Sequence, residues 1–577
     1  MLSNRHRKIR IKSLTQSMEK LIINVINGSC KHNNDEVVCI FVYSFIQVYF
    51  SLSLVSIDDP QVSISTGLVK GKTISFRGIE VNQFLGIPFA ESPTGPLRFK
   101  KPISKKPWKG VLNADQWGPV CSQPALINSK QNNTEDCLYL NVFETSSTLR
   151  DLKNGLNNLR PVMVWIHGGG WVTGSANIPE WYDGTVLASM NDVVVVSINY
   201  RLGVFGYLYL PEYDVPGNMG LWDQQLALKW VQENIRFFGG DPSKVTIFGE
   251  SAGSFAVSVL LVSPQSRGLF NRAIMQSGTI HDSALTQRPN SSIHFLEALN
   301  CSSTISSCLA SYEYGVDPKV DGIYLLPVIG DEFIPDTPVN MINNHGVDPN
   351  ISILLGTVGY EGAGFMAANI DPILFDPFHP GNLTLDQVRK SLDEVLILRD
   401  YYSVDYVMEK YFSNVNTNDS DELRLILAKA GGDMLISCPT YVFGRDLVKN
   451  GQSNVFAYYQ TQKPRKSMFG FADGKTWVPV THADDIPFVF GHSMQENSNC
   501  DPEELIISNI MMKAWTHFAR YGKPGLIGAY EWPSWSMNDG ENILHPTIDF
   551  NSKKIGHYDQ TPVDFCFENW PFPVAKK

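Results

Sequence analysis

Gly249-Glu250-Ser251-Ala252-Gly253 places a serine between two glycines where one local pattern gives way to another. Before it runs an apolar strand pattern, Val245-Thr246-Ile247-Phe248; after it, from Ser254, comes a small-residue helix pattern. A chain that turns sharply from strand into helix holds the tip residue in the open, so this is the sequence form of a nucleophile elbow. The outer glycines suit a strained turn with no room for side chains against the neighbouring strand and helix. The pentapeptide alone is a weak signal and gains weight only from its context. A serine hydroxyl needs a base to activate it, a third group to orient that base, and donors for the oxyanion that forms.

Donors are expected upstream. Pro161-Val162-Met163-Val164-Trp165-Ile166 reads as a buried strand running into His167-Gly168-Gly169-Gly170. A glycine run after a strand exposes backbone N–H groups, here those of Gly169 and Gly170, and Ala252 after the serine adds another. The acid and base should follow the serine in the order Ser, Asp/Glu, His. Among 12 histidines the best placed is His482, in a loop ahead of Ala483-Asp484-Asp485 and an apolar stretch. The best acid is Glu361, where the apolar run Leu354-Leu355 ends in a glycine-bounded loop. By spacing alone both assignments stay open, because a solitary histidine or glutamate is more often a surface or satisfied residue.

The elements that must carry these groups alternate. Val162–Ile166, Val193–Ile198 and Val245–Phe248 read as strands, and Leu269–Gln276 leads towards another. Leu221–Ile235 between them reads as a helix with its apolar stripe in the core. Such alternation predicts an α/β sheet with helices on both faces. Residues 282–309 and 371–421 read as helical or loop insertions over the site.

With these residues in view, the chain resembles the type-B carboxylesterase/cholinesterase family of α/β-hydrolases. The likeness runs from about Val62 to Trp570. Its markers are Phe84 through Ala90, Glu135 through Val142, Asn199 through Gly203, Gly239-Gly240-Asp241-Pro242, and His482 through Gly491. The resemblance implies a mostly parallel sheet flanked by helices. It implies Ser251, Glu361 and His482 as the triad and the amides of Gly169, Gly170 and Ala252 as the oxyanion hole. It further implies the disulfides Cys121–Cys137, Cys301–Cys308 and Cys438–Cys566, and the structural ion pairs Arg98–Glu135 and Arg201–Asp223. No cofactor and no metal is expected. Two departures stand out: alanine follows His482 where many relatives have glycine, and Ser254 stands where many have a smaller residue.

At 577 residues the chain has no internal linker or repeat, so one large domain over residues 60–572 is expected. Hydrophobic content of 43% with 18% charged residues suits a globular protein with a large core. A net charge of −11 argues against a nucleic-acid partner. Residues 1–36 form a polar leader with Arg5, Arg7, Lys8, Arg10 and Lys12, followed by the uncharged apolar stretch Val37 through Ile57. That stretch reads as a signal sequence or a signal anchor, and in either case the basic flank puts the enzyme outside the cytosol. Secretion is the expectation, with a membrane contact only if the anchor is uncleaved. Cys30 falls in the polar leader and Cys39 in the apolar stretch, and Cys500 is left as a free or intermolecular thiol. Sequons at Asn132, Asn290, Asn382 and Asn418 lie in polar stretches suited to N-glycans.

The expected partner is a small ester. In cholinesterases the choline site uses an aromatic residue in the loop closed by the first disulfide, where a cation over a ring gains about 0.5–2 kcal/mol. Here Cys121 to Cys137 enclose no aromatic residue. A second aromatic of that site normally lies three positions after the acid, which here is Gly364, although Phe365 follows. Both observations favour uncharged esters in a pocket drawn from Tyr324, Leu326 and Phe365. The alternatives are a cholinesterase, or a silent cell-surface binding relative.

Overall fold

The apolar runs around the elbow become strands buried on both faces. In the computed structural model the described residues are 59–124, 133–280, 291–300, 305–312, 325–369, 371–395, 403–470, 476–495, 501–538, 542–553 and 561–571. The leader over 1–57, Tyr324, Cys301, Cys500, Asn132 and Asn290 lie outside them. A compact unit begins at Pro60.

Ten strands form the main sheet. They are β1 (Lys72–Phe76), β2 (Ile79–Pro88), β3 (Tyr139–Thr145), β4 (Arg160–Ile166), β5 (Val194–Ile198), β6 (Gly240–Glu250), β7 (Arg272–Gln276), β8 (Ser352–Val358), β9 (Val455–Gln460) and β10 (Thr547–Phe550). Their spatial order is β10-β9-β8-β7-β6-β4-β5-β3-β2-β1. Pairing is parallel from β10 through β5 and antiparallel from β5 through β1. Side chains alternate across a strand, so a sheet covered on both sides needs continuous apolar runs. Val162, Val164 and Ile166 enter the larger core, whereas Met163 and Trp165 enter the other. Helices α1 (Met219–Asn234) and α2 (Ala252–Val262) cover the first face. Helix α4 (Pro502–Tyr521) covers the second with Met511, Trp515 and Phe518; α3 (Glu361–Asn369) follows β8.

Several boundaries differ from the sequence expectation. β6 reaches back to Gly240, because the chain pairs Gly240 with Arg160 across an irregularity before resuming at Val245. α1 begins at Met219, and a tight turn then carries the chain to Phe238, where Gly239 at φ 79° ends it. Glu361, expected within a loop, is the first residue of α3.

The disulfides Cys121–Cys137 and Cys438–Cys566 are formed. Cys308 is also disulfide-bonded. Arg201 binds Asp223 through Nε and Nη2 at 2.8 and 2.7 Å in a buried fork. Arg98 holds Glu135, with Nε to Oε2 at 2.7 Å. Its Nη1 also donates to the carbonyls of Leu309, Ala310 and Tyr312 at 3.2, 2.9 and 3.0 Å. Arg98 therefore ties the Cys121–Cys137 loop to the helical insertion downstream. Among the described residues no helix is long and apolar enough to cross a membrane.

Candidate active site

The order β6-β4-β5 reverses the chain's progress across the sheet, and ligands of open α/β sheets bind at such a reversal, beyond the carboxyl ends of the strands. Parallel register sets Gly249 of β6 beside Ile166 of β4. The serine turn and the His167–Gly170 run therefore leave adjacent strands at the same level. Ser251 has φ 56° and ψ −128°, a conformation rare for a residue with a side chain. Its N–H donates to the Gln276 carbonyl of β7 at 3.0 Å, which holds the strained turn in the sheet. A Cβ at Gly253 would stand 2.0 Å from the Ile166 carbonyl oxygen, and one at Gly249 2.6 Å from it. Here the outer glycines have a steric reason: the backbone of β4 occupies the space.

The glycine run faces the serine directly. A Cβ at Gly168 would lie 2.9 Å from Ser251 Cβ and 3.0 Å from Glu250 Oε2. Gly169 and Gly170 have φ of 108° and 62°, which glycine adopts without strain. The Gly169 carbonyl turns back to accept from the amides of Val172 and Thr173 at 3.1 and 2.9 Å. Ala252 opens α2, where a first-turn amide has no intrahelical acceptor. Beneath the loop, His167 stacks on Tyr200 at 4.4 Å, and the Tyr200 hydroxyl donates to the His167 carbonyl at 2.7 Å. Burial holds His167 down at about 4, so its ring is a neutral strut.

Glu361, opening α3, meets His482 in the loop after β9. His482 Nδ1 lies 2.7 Å from Glu361 Oε2, both residues buried. Glu361 Oε1 accepts from the Val358 amide at 2.8 Å, which fixes the carboxylate at the end of β8. His482 occupies a tight turn in which the Asp484 amide donates to the Thr481 carbonyl at 3.0 Å. Ala483, third in that turn, has φ 67°, as a type II turn requires and as glycine prefers. The Asp484 carboxylate reaches back to the Thr481 amide at 2.8 Å and locks the turn from the other side. Thr481 Oγ1 accepts from the Gly364 amide at 2.6 Å and donates to the Tyr360 carbonyl at 3.2 Å. With the Tyr360 amide donating to the Val480 carbonyl at 3.2 Å, this hydroxyl stitches together the segments carrying Glu361 and His482.

The other ring nitrogen faces a second acid. His482 Nε2 lies 3.1 Å from Glu250 Oε1, yet neither atom makes a hydrogen bond, so the contact is ionic and off-axis. Burial pushes Glu250 up to about 8, against the pull of the His482 charge. Burial alone would lower His482, but the Glu250 charge and the hydrogen bond and charge of Glu361 outweigh it and raise His482 to about 9. Asp485 lies behind them, accepting from Gln276 Nε2 at 2.9 Å and the Tyr458 hydroxyl at 2.7 Å. Burial raises Asp484 to about 7 and Asp485 to about 6.

These arrangements have relatives. The carboxylesterase family model matches residues 58–566. The chain belongs to the carboxylesterase family. An acetylcholinesterase of Bungarus fasciatus is 35% identical over 524 residues, covering 84% of this chain and 82% of that protein. An acetylcholinesterase of Leptinotarsa decemlineata is 31% identical over 538 residues, 86% of this chain and 83% of that protein. A medium-chain fatty acyl-CoA hydrolase precursor of Anas platyrhynchos is 34% identical over 543 residues, 89% and 92% of the two chains. The chain is a carboxylic ester hydrolase with the α/β-hydrolase fold, of a family that acts on small ester substrates.

Of the pocket residues expected from sequence, Phe365 stands beside the site, its ring 4.6 Å from that of His482. Leu326 is half-buried against the larger core. The structure adds groups that sequence reading missed. Glu250 was legible only as a member of the serine pentapeptide; a carboxylate closing an apolar buried strand is the signal that marks it. Asp484 and Asp485 read in the sequence only as an acidic stretch, and nothing local distinguishes them from solvated acids. Thr481, Gln276 and Phe469 carry no local signal, because each reaches the site through tertiary contacts.

Proposed function

We propose that this carboxylesterase cleaves uncharged esters by two-step acyl transfer on Ser251. His482 Nε2 takes the hydroxyl proton as Ser251 attacks the ester carbonyl, and Glu361 holds the imidazole through Nδ1 and stabilises the imidazolium. The amides of Gly169, Gly170 and Ala252 donate to the oxyanion, and losing one such donor costs about 2.7–4 kcal/mol in transition-state stabilisation. The alcohol leaves with the proton from His482. Water then attacks the acyl-enzyme by the same route and releases the acid. The observation that carries this reading is the buried 2.7 Å contact between His482 and Glu361, with Nε2 left unbonded beside the serine turn.

The aromatic-free loop from Ser122 to Asp136 supports a neutral substrate. A choline ester is the second reading, favoured by the two acetylcholinesterase relatives. Hydrolysis of p-nitrophenyl acetate and acetylthiocholine, measured side by side with Ser251→Ala as control, separates them. The first reading expects Ser251-dependent turnover of the neutral ester and little of the choline ester. The reverse preference establishes a cholinesterase, and Ser251-independent turnover removes the proposed nucleophile. Secretion and N-glycosylation belong to the same reading; Asn382 and Asn418 are both exposed. Loss of a mass increment on glycosidase treatment checks the glycans.

A further inference from the structure

Gly364 leaves the place three residues after the acid without a side chain, yet the place is not empty. A Cβ there would stand 2.7 and 2.8 Å from Cε2 and Cδ2 of Phe469. That ring comes from the loop between β9 and His482 and fills the space from the opposite side. Only glycine at position 364 lets it approach so closely. Phe469 meets Phe365 edge-to-face at 5.8 Å and 80°, and Phe365 lies against His482 at 4.6 Å. Two phenylalanine rings therefore run outward from the imidazole, each in contact with the next. Both phenylalanines are only half-buried, so each keeps open ring surface.

The row is tied to the His482 turn. The Phe469 amide donates to Ser467 Oγ at 3.3 Å, and Ser467, itself buried, hydrogen-bonds Asp484. Asp484 in turn holds the Thr481 amide, and Thr481 Oγ1 holds the Gly364 amide. The wall and the imidazole thus share one support. The acids nearest His482, Glu361 and Glu250, are both directed at its ring nitrogens.

Building on the esterase reading above, we infer that Phe469 is a specificity-determining residue. With Phe365 it forms an aromatic wall that selects esters carrying a flat, uncharged aromatic group. Such a group gains offset or edge contacts with the rings that an alkyl group of similar reach does not.

The test compares kcat and KM for 1-naphthyl acetate and ethyl acetate in the wild type, Phe469→Leu and Phe469→Tyr. Labelling of Ser251 by a fluorophosphonate probe at the wild-type rate verifies an intact site in each. Phe469→Leu should lose about tenfold in kcat/KM on the naphthyl ester, mainly through KM, the size of one well-made aromatic contact. Ethyl acetate should change by less than about twofold, and Phe469→Tyr should retain the preference. Equal losses on both esters, or none on either, overturn the inference while the esterase reading stands. A variant that no longer takes the label shows a structural role for Phe469 and overturns it too. A wild type that hydrolyses neither ester through Ser251 overturns the neutral-ester reading, and the inference with it.

Discussion

At the scale of single residues, Glu250 bears most directly on the chemistry. Its carboxylate lies 3.1 Å from His482 Nε2, the nitrogen we propose as acceptor of the serine proton, and its charge helps hold His482 up at about 9. Attack requires neutral imidazole, so an ionised Glu250 delays activity to higher pH. Glu250→Gln keeps the size and removes the charge, and the acid limb of the kcat/KM profile should move to lower pH. An unmoved limb would mean that Glu250 does not act on His482 in solution. Ala483 offers a second test. Its φ of 67° costs a side-chain residue about 1–2 kcal/mol. Glycine removes that strain but loses about 0.4–1 kcal/mol through the freer unfolded chain. Ala483→Gly should therefore stabilise by about 0.5–1 kcal/mol, read as a rise in the urea midpoint.

At the scale of elements, the elbow depends on how closely α2 approaches β4. Gly253 has no space for a methyl group, since the Ile166 carbonyl would be 2.0 Å from it. Gly253→Ala should cost about 3 kcal/mol or more by overpacking and should abolish activity, because Ser251 moves with the displaced turn. Retention of both wild-type stability and turnover would contradict this close approach. Ser254, the other departure from the family pattern, turns its hydroxyl to the Gly278 carbonyl beyond β7. It links the first turn of α2 to the neighbouring strand end. The substitution thus adds a buried hydrogen bond where a smaller residue would leave that carbonyl without this donor. Ser254→Ala should cost about 1 kcal/mol, measured by denaturant unfolding, with the triad geometry intact.

Across the whole molecule, the buried acids set a pH dependence. The folded values of Glu250, Asp484 and Asp485, about 8, 7 and 6, all lie above those of free carboxyls. The folded state then binds protons more tightly than the unfolded chain, and stability falls as pH rises through those values. His482, raised to about 9, contributes stability that is complete below 6.5 and is lost towards 9. His167 and His492, held at about 4 by burial, weaken the fold only on the acid side of 6.5. Between about pH 6.5 and 9 the group at the site acts in one direction. Thermal inactivation should be faster at pH 9 than at pH 6.5, and less so in Glu250→Gln. The Cys438–Cys566 bridge acts over a greater distance, joining cysteines 128 positions apart. In the chain-entropy model its removal costs about 4–5 kcal/mol, which a Cys438→Ser, Cys566→Ser pair should show as a lower urea midpoint.

The alternation of apolar runs and the serine pentapeptide made the sheet, the elbow and the glycine loop legible before any coordinates. These features are local: a doubly covered strand must be apolar throughout, and a sharp strand-to-helix turn must be flanked by glycine. Glu361 and His482 were legible as candidates, but they stand 121 positions apart, and the pairing of β8 with β9, the Tyr360 amide on the Val480 carbonyl and the Thr481 hydroxyl bring them within hydrogen-bond distance. The chain's own order says nothing of Glu250 facing the imidazole, or of Phe469 filling the place that Gly364 leaves open. Those contacts join segments far apart in sequence, and which atoms meet is decided by packing in three dimensions rather than by any local preference of the residues involved.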